Sequence, residues 1–268
     1  VITGGNKGIS CFELSTHSAS IDLHSSNAAV VDGALWHLIA GIASLHKDGK
    51  IAVEGFYDGV EEPTKRAKQL AHKMYYSPAK VKEEDHLEYP FIQGDDENAI
   101  KEALLFAPSL NIEGVSGGYE GESVKTVLPK QGVAKFDARL VPGQDPVDIA
   151  QKIQKQLEKN GFGDVHVKFT MGVTPYRSDM DAPLIKQLIT TAESVYGGED
   201  KVEVLPTSAG TGPSYDFNHF LDAPIAAFGV GNAQSGPHAP NENVVIKDYE
   251  TGIKLLEQFF SNLHEKEL

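Results

Sequence analysis

A chain of 268 residues is long enough for one large or two ordinary domains, and 40% apolar with 23% charged residues is a globular composition. Its 24 basic and 38 acidic side chains leave a formal charge of -14, which speaks against nucleic-acid backbones and anionic membranes as partners. Cys11 is the single cysteine, so an internal disulfide and a thiolate zinc site are excluded, a cytoplasmic setting is the simpler expectation, and no signal peptide or run of 18 apolar residues is visible.

The chain opens at Val1 and enters a strand-like segment within about ten residues, which raises the expectation of a missing N-terminal part. Residues 9 to 23 alternate imperfectly between apolar and polar, as a long half-buried strand does. From Val31 to His46, Leu35, Leu38, Ile39, Ile42 and Leu45 recur at helical spacing behind a Ser/Asn cap at 25 to 27, and Ile51 to Glu54 reads as a short strand. Residues 61 to 107 turn charged and helical, with Pro63 at a first helical position and acidic patches at 83 to 85 and 95 to 97, and read as an insertion with solvated faces. Strands follow at Leu110 to Val115 and Gly132 to Val141, the second alternating through Val133, Phe136, Ala138 and Leu140. Asp145-Pro146 then caps and starts a helix with Ile149, Ile153 and Leu157 inward, and Val165 to Met171 is a further strand. This order predicts an α+β ferredoxin-like domain over residues 1 to 174.

Beyond Pro175 the pattern changes, with a boundary expected between Gly172 and Ser178. Asp181 would cap a helix using Leu184, Leu188, Ala192 and Val195; short strands fall at Val202 to Leu205 and Pro224 to Val230, and a last helix runs from about Lys247. Strands alternating with helices over 175 to 268 predict an incomplete α/β, hydrolase-like segment, because two strands make a poor open sheet.

Four stretches invite chemical readings. Gly114-Val115-Ser116-Gly117-Gly118 satisfies Gly-x-Ser-x-Gly after a strand, yet Tyr119 and Gly121 do not start the helix that a nucleophile elbow needs, so a glycine-rich turn is favoured. Ten scattered histidines give no His-Glu-x-x-His helix or paired ligand spacing, while zinc takes three or four protein ligands. His238 stands between Pro237 and Pro240 in Ser235 to Asn243, presented from a stiff loop, although most turn histidines merely bond water. Arg139, near the end of its strand, could clamp a carboxylate or form a surface ion pair, and His24, between strand and helix, could reach a cleft or serve as a turn residue.

Taken together, Asp22-Leu23-His24-Ser25, Gly55-Phe56-Tyr57-Asp58, Lys125 to Pro129, Arg139 to Pro146 and His238 to Glu242 resemble the co-catalytic dizinc exopeptidases of clan MH. Within that clan they resemble most the dipeptidases and deacylases that include carnosinase, aminoacylase and succinyl-diaminopimelate desuccinylase. The resemblance implies a lid and dimerisation domain over 1 to 174 and the C-terminal part of a catalytic domain over 175 to 268. It implies two zinc ions per complete site, with His238 as a ligand to one. It makes His24 the lid histidine that enters the partner subunit's active site and binds the scissile carbonyl. Thr126 and Arg139 become the residues that hold a substrate carboxylate, and Thr211, in Ala209 to Pro213, a further substrate contact.

In such a centre the metals lower the pKa of a bound water that attacks the amide, and a glutamate moves the proton. In the family a His-x-Asp motif, a Glu-Glu pair and a further aspartate lie N-terminal to the lid, and none of them is found in that place here. The expectation is therefore a homodimeric, zinc-dependent dipeptidase or N-acyl amino acid hydrolase that is inactive as these 268 residues alone. The alternative is a non-catalytic dimerisation module derived from the same family.

Overall fold

The computed structural model describes residues 1–232, 234–236 and 238–263; Pro237, expected to stiffen the His238 loop, lies outside them. In chain order the first elements are β1 (Ile2–Thr3), β2 (Gly5–His17), β3 (Leu23–His24), α1 (Ala34–Ser44) and the hairpin β4 (His46–Lys47) with β5 (Lys50–Ile51). Then come α2 (Lys65–Lys73), α3 (Pro78–Glu84), α4 (Glu97–Phe106), β6 (Ser109–Ser116), β7 (Val127–Leu128), β8 (Gln131–Leu140), α5 (Pro146–Lys159) and β9 (His166–Val173). The remainder holds β10 (Tyr176–Arg177), α6 (Pro183–Tyr196), β11 (Val204–Leu205), β12 (Ser208–Thr211), α7 (Ser214–Leu221), β13 (Ala227–Phe228) and α8 (Ile246–Leu263).

The chain divides into two compact units, one of Gly8–Glu61 with Pro108–Pro175 and one of Val1–Lys7 with Glu62–Ala107 and Tyr176–Leu268. This corrects the contiguous division at 174/175: the segment expected as an insertion in the first domain belongs to the second unit. The physical reason is an apolar stripe beneath its charges. In α2 and α4, Ala67, Ala71, Met74, Leu105 and Phe106 form a buried cluster against which Leu205 packs, and Leu70 joins Met180 and Ile185. The solvated faces are real but cover only the outside of these helices.

In the unit of residues 8–61 and 108–175, β9, β2, β8 and β6 lie side by side, each antiparallel to its neighbour. With α1 and α5 between strands, the order is β-α-β-β-α-β, the ferredoxin-like arrangement. The period-2 alternation of β8 turns Ala134, Phe136, Ala138 and Leu140 inward, where Phe136 stacks on Phe12 at 5.5 Å between centroids. Against this face α1 sets Leu38 and α5 sets Ile149, Ile153 and Leu157, all fully buried and each stabilising by about 1.5–3 kcal/mol. Asp145 caps α5 as expected, its carboxylate accepting from the amides of Val147 and Asp148 at 2.9 Å. At α1 the expectation needs correction: Ser25–Ala29 form a separate 3-10 turn capped by His24, and α1 starts after Gly33 without a side-chain cap.

The other unit has a three-strand sheet in which β1 pairs parallel with β11 and antiparallel with β13. Ile2 packs there with Leu188 and Ala192 of α6 and Leu255 of α8. Helix α6 begins at Pro183, behind Ala182, so Asp181 is not its cap; its carboxylate pairs with Lys186 at 2.9 Å instead. Residues 5–7 of β2 pair with β10 and β12. Strand β12 and helix α7 escape sequence prediction because glycine and proline at 210, 212 and 213 mask both periodicities.

Candidate active site

Four of the five motif stretches meet two by two in the ferredoxin-like unit. The first meeting is a short antiparallel ladder in which Leu23 faces Leu128 and His24 faces Val127. It is extended at both ends: Ser25 N–H donates to the Thr126 carbonyl at 3.1 Å, and Lys130 N–H donates to the Asp22 carboxylate at 3.1 Å. His24 and Thr126 are thereby brought together, both exposed. The His24 ring is itself held, since its Nδ1 accepts from the backbone N–H of Ser26 at 3.2 Å and lies 2.9 Å from Ser26 Oγ. A short ladder at the surface supplies the rigidity that a loop alone lacks.

The second meeting joins the Gly55 and Arg139–Pro146 stretches. Buried Gln144 accepts from Val141 N–H at 3.0 Å and donates to the Phe56 carbonyl at 2.6 Å, while Glu61 N–H donates to the Pro142 carbonyl at 2.9 Å. Gly59 and Gly143 face each other with φ of +76° and +95°, so close that a Cβ on Gly143 would stand 1.7 Å from the Gly59 carbonyl oxygen. These glycines are there for a backbone-to-backbone approach, and their role is structural.

Arg139 stands half-exposed on β8, on the face opposite the core. Its Nε is 3.4 Å from Asp137 Oδ2, and the nearly buried Asp137 accepts from Asn111 Nδ2 at 2.8 Å. The carboxylate is anchored by Asn111 and in turn faces the guanidinium. Cys11 is the strand partner of Asp137; burial, then Glu113 and Asp137, push its thiol up against the opposing pull of Arg139. It stays protonated at neutral pH and is a poor nucleophile. Ser116 ends β6 and is followed by Gly117 and Gly118 at positive φ, with no helix after it. The glycine-rich turn is the correct reading of that motif.

Thr211 ends β12 opposite Lys7, and beside it Ser214 Oγ donates to Asn6. In the same unit the His238 loop is closed by Asn243 N–H donating to the Ser235 carbonyl at 3.0 Å, with Asn243 Nδ2 on the carbonyls of Gln234 and Asn241. His238 is exposed and has φ of +64°, and Asn241 has +66°. A histidine held in the left-handed region is strained, and such strain collects at functional positions. Among the described residues no three histidine, cysteine, aspartate or glutamate side chains gather to hold a metal ion. His238 offers one donor, short of the three or four that zinc takes, so these residues do not compose a metal centre by themselves.

One histidine escapes the sequence patterns altogether. His37, in the first turn of α1, places Nδ1 2.8 Å from Asp32 and Nε2 2.8 Å from Asp164, with its ring edge on Phe162 at 5.2 Å. Hydrogen bonding to Asp164 raises its pKa, desolvation opposes, and Asp32 adds to the rise. The only local signal was an aspartate just before the helix; Asp164 is brought in by the fold.

The model of peptidase family M20/M25/M40 matches residues 21–262. The chain belongs to this family. Curated relatives include the Beta-Ala-His dipeptidase of Rattus norvegicus, 23% identical over 98% of this chain and 54% of its own length. Another is the Cys-Gly metallodipeptidase of Schizosaccharomyces pombe, 24% identical over 99% of this chain and 56% of its own. The solved structure of an M20 family metallo-carboxypeptidase from Sulfolobus solfataricus superposes with a TM-score of 0.88 at 35% identity, covering 96% of this chain and 59% of that one. The chain thus spans about half the length of the M20 relatives it matches. Among the described residues, no helix is long and apolar enough to cross a membrane.

Proposed function

We propose that this M20 chain is the lid and C-terminal catalytic part of a zinc-dependent dipeptidase or N-acyl amino acid hydrolase, which cleaves an amide bond beside a free carboxylate. The observation that carries the reading is the ladder that sets exposed His24 next to Thr126, in a unit that also presents Arg139 from an anchored carboxylate. His24 holds the scissile carbonyl, and Arg139 with Thr126 takes the terminal carboxylate in bidentate fashion. Relatives named dipeptidases and a carboxypeptidase act, by the chemistry of those names, next to such a carboxylate. Thr211 is a further substrate contact, and His238 is a metal ligand.

The reading extends to a homodimer through the lid. Among the described residues strand β6 pairs with β8 alone and leaves its other edge open, with Ile112 and Val115 exposed, and α1 exposes Trp36 and Ile39. The protein works in the cytoplasm.

The test uses a zinc-loaded form of the length of the M20 relatives. His24→Ala is expected to lower kcat by roughly 10²–10³-fold, the loss seen when one preorganised donor to a developing oxyanion is removed, with metal content unchanged. Loss of metal would instead make His24 a ligand. The 268-residue chain alone is expected to hydrolyse dipeptides little, and robust zinc-dependent hydrolysis by it refutes that part of the proposal.

A further inference from the structure

His24 can hold a carbonyl only through a ring N–H, and which nitrogen carries the proton depends on what the other one meets. The contact of Nδ1 with Ser26 Oγ at 2.9 Å does not decide, because a hydroxyl both donates and accepts. The contact with the Ser26 backbone N–H at 3.2 Å does decide, because an amide nitrogen only donates. Nδ1 is therefore the acceptor of a bifurcated pair, and the neutral ring carries its proton on Nε2. The cap geometry makes this arrangement rigid: His24 has φ -63° and ψ 136°, the ordinary extended cap conformation, and Asn27 Nδ2 donates to the His24 carbonyl at 3.0 Å.

We infer that Ser26 is a positioning residue, which through its amide and hydroxyl fixes His24 in the tautomer whose Nε2–H points away from the 3-10 turn and donates to the substrate. The inference rests on the proposed role of His24 for its functional meaning, while the tautomer itself is a property of this chain alone. The amide supplies the sign of the effect and the hydroxyl reinforces it. Replacing the two separately is therefore informative.

The experiment is nitrogen-15 NMR of the His24 ring in the 268-residue protein above the pH at which the ring is protonated. The expected spectrum shows Nδ1 at an acceptor shift and a proton on Nε2. Ser26→Ala keeps the amide and should retain that pattern. Ser26→Pro removes the donor, and the two ring nitrogen shifts should move toward each other as both tautomers become populated. A proton on Nδ1 in the parent protein, or identical ring shifts in the parent and Ser26→Pro, overturns the inference. If proline distorts the turn, a proton on Nε2 in Ser26→Ala still supports the assignment and one on Nδ1 still overturns it. In the zinc-loaded form of relative length, Ser26→Pro should lower kcat on the order of tenfold with KM nearly unchanged. A normal kcat in His24→Ala, together with an Nε2 proton observed in the parent protein, sinks the role of His24 and leaves the tautomer standing.

Discussion

His37 is the place where a change of one proton should be measurable in the ferredoxin-like unit. As an imidazolium it donates from both nitrogens, to Asp32 and to Asp164; as a neutral ring it has one N–H, so one carboxylate then faces a bare lone pair. The ring is 23% exposed, while the carboxylates are 69% and 59% exposed, so solvent screens both pairs. Exposed pairs contribute about 0.2–1 kcal/mol each, and the edge contact with Phe162 about 0.5–1.5 kcal/mol. His37→Ala should therefore cost about 1–2 kcal/mol near pH 6. The His37 pKa is raised in the folded state, so its stabilisation is fully present below the unfolded value of about 6.5 and is lost as pH rises through the folded value. Asp164 shows the opposite sign: burial resists, but the His37 hydrogen bond, its own backbone and nearby His166 lower its pKa, so its share is lost only as pH falls into the carboxylate range. Because Trp36 is exposed, urea unfolding is followed by circular dichroism of the helices rather than by tryptophan fluorescence. The difference between parent and His37→Ala should shrink by about half between pH 6 and pH 9. A difference that stays constant over that range refutes the charge-based account and leaves only the packing against Phe162.

Gly143→Ala should be among the most damaging single-methyl additions, costing at least about 2–3 kcal/mol, because φ is +95° and the new carbon meets backbone that a side-chain rotation cannot clear; thermal unfolding of the variant beside Gly161→Ala, at φ +90° with open space around it, separates the clash from the strain. Asp137→Asn keeps the shape but removes the charge facing Arg139; in the zinc-loaded form of relative length it should change KM for carboxylate-bearing dipeptides several-fold with kcat nearly constant, and an unchanged KM denies Asp137 any part in orienting Arg139.

Much of the ferredoxin-like unit was legible because its signals are local. The alternation of β8 and the Asp145-Pro146 start of α5 lie within a dozen residues of each other, and β6, β8 and β9 stand within a few residues of the expected strands, whereas the strand expected over 9–23 ends at His17 and the short strands β3, β4 and β7 were not expected. The motif order that pointed to a dizinc exopeptidase was likewise sequence information, and the M20 match is consistent with it. Residues 62–107 were misassigned because charge density is local whereas burial is not: only packing with Leu205, Met180 and Ile185 shows that α2 and α4 have an inner face.

By itself, then, the sequence determined composition class, the strand and helix periods of the ferredoxin-like unit, and the residue types able to bind a carbonyl or a carboxylate. The tertiary structure alone decided which of those residues are neighbours. Asp22 and Lys130 are far apart in sequence but joined in space, as are His37 and Asp164, and Gly59 and Gly143. A contact between distant residues leaves no period in the chain, and of these three the first extends a strand ladder while the other two join helix and turn segments. Ser26 shows the complementary case: its contact with His24 is only two residues long, yet it acquires meaning because the β3–β7 ladder fixes where the ring stands.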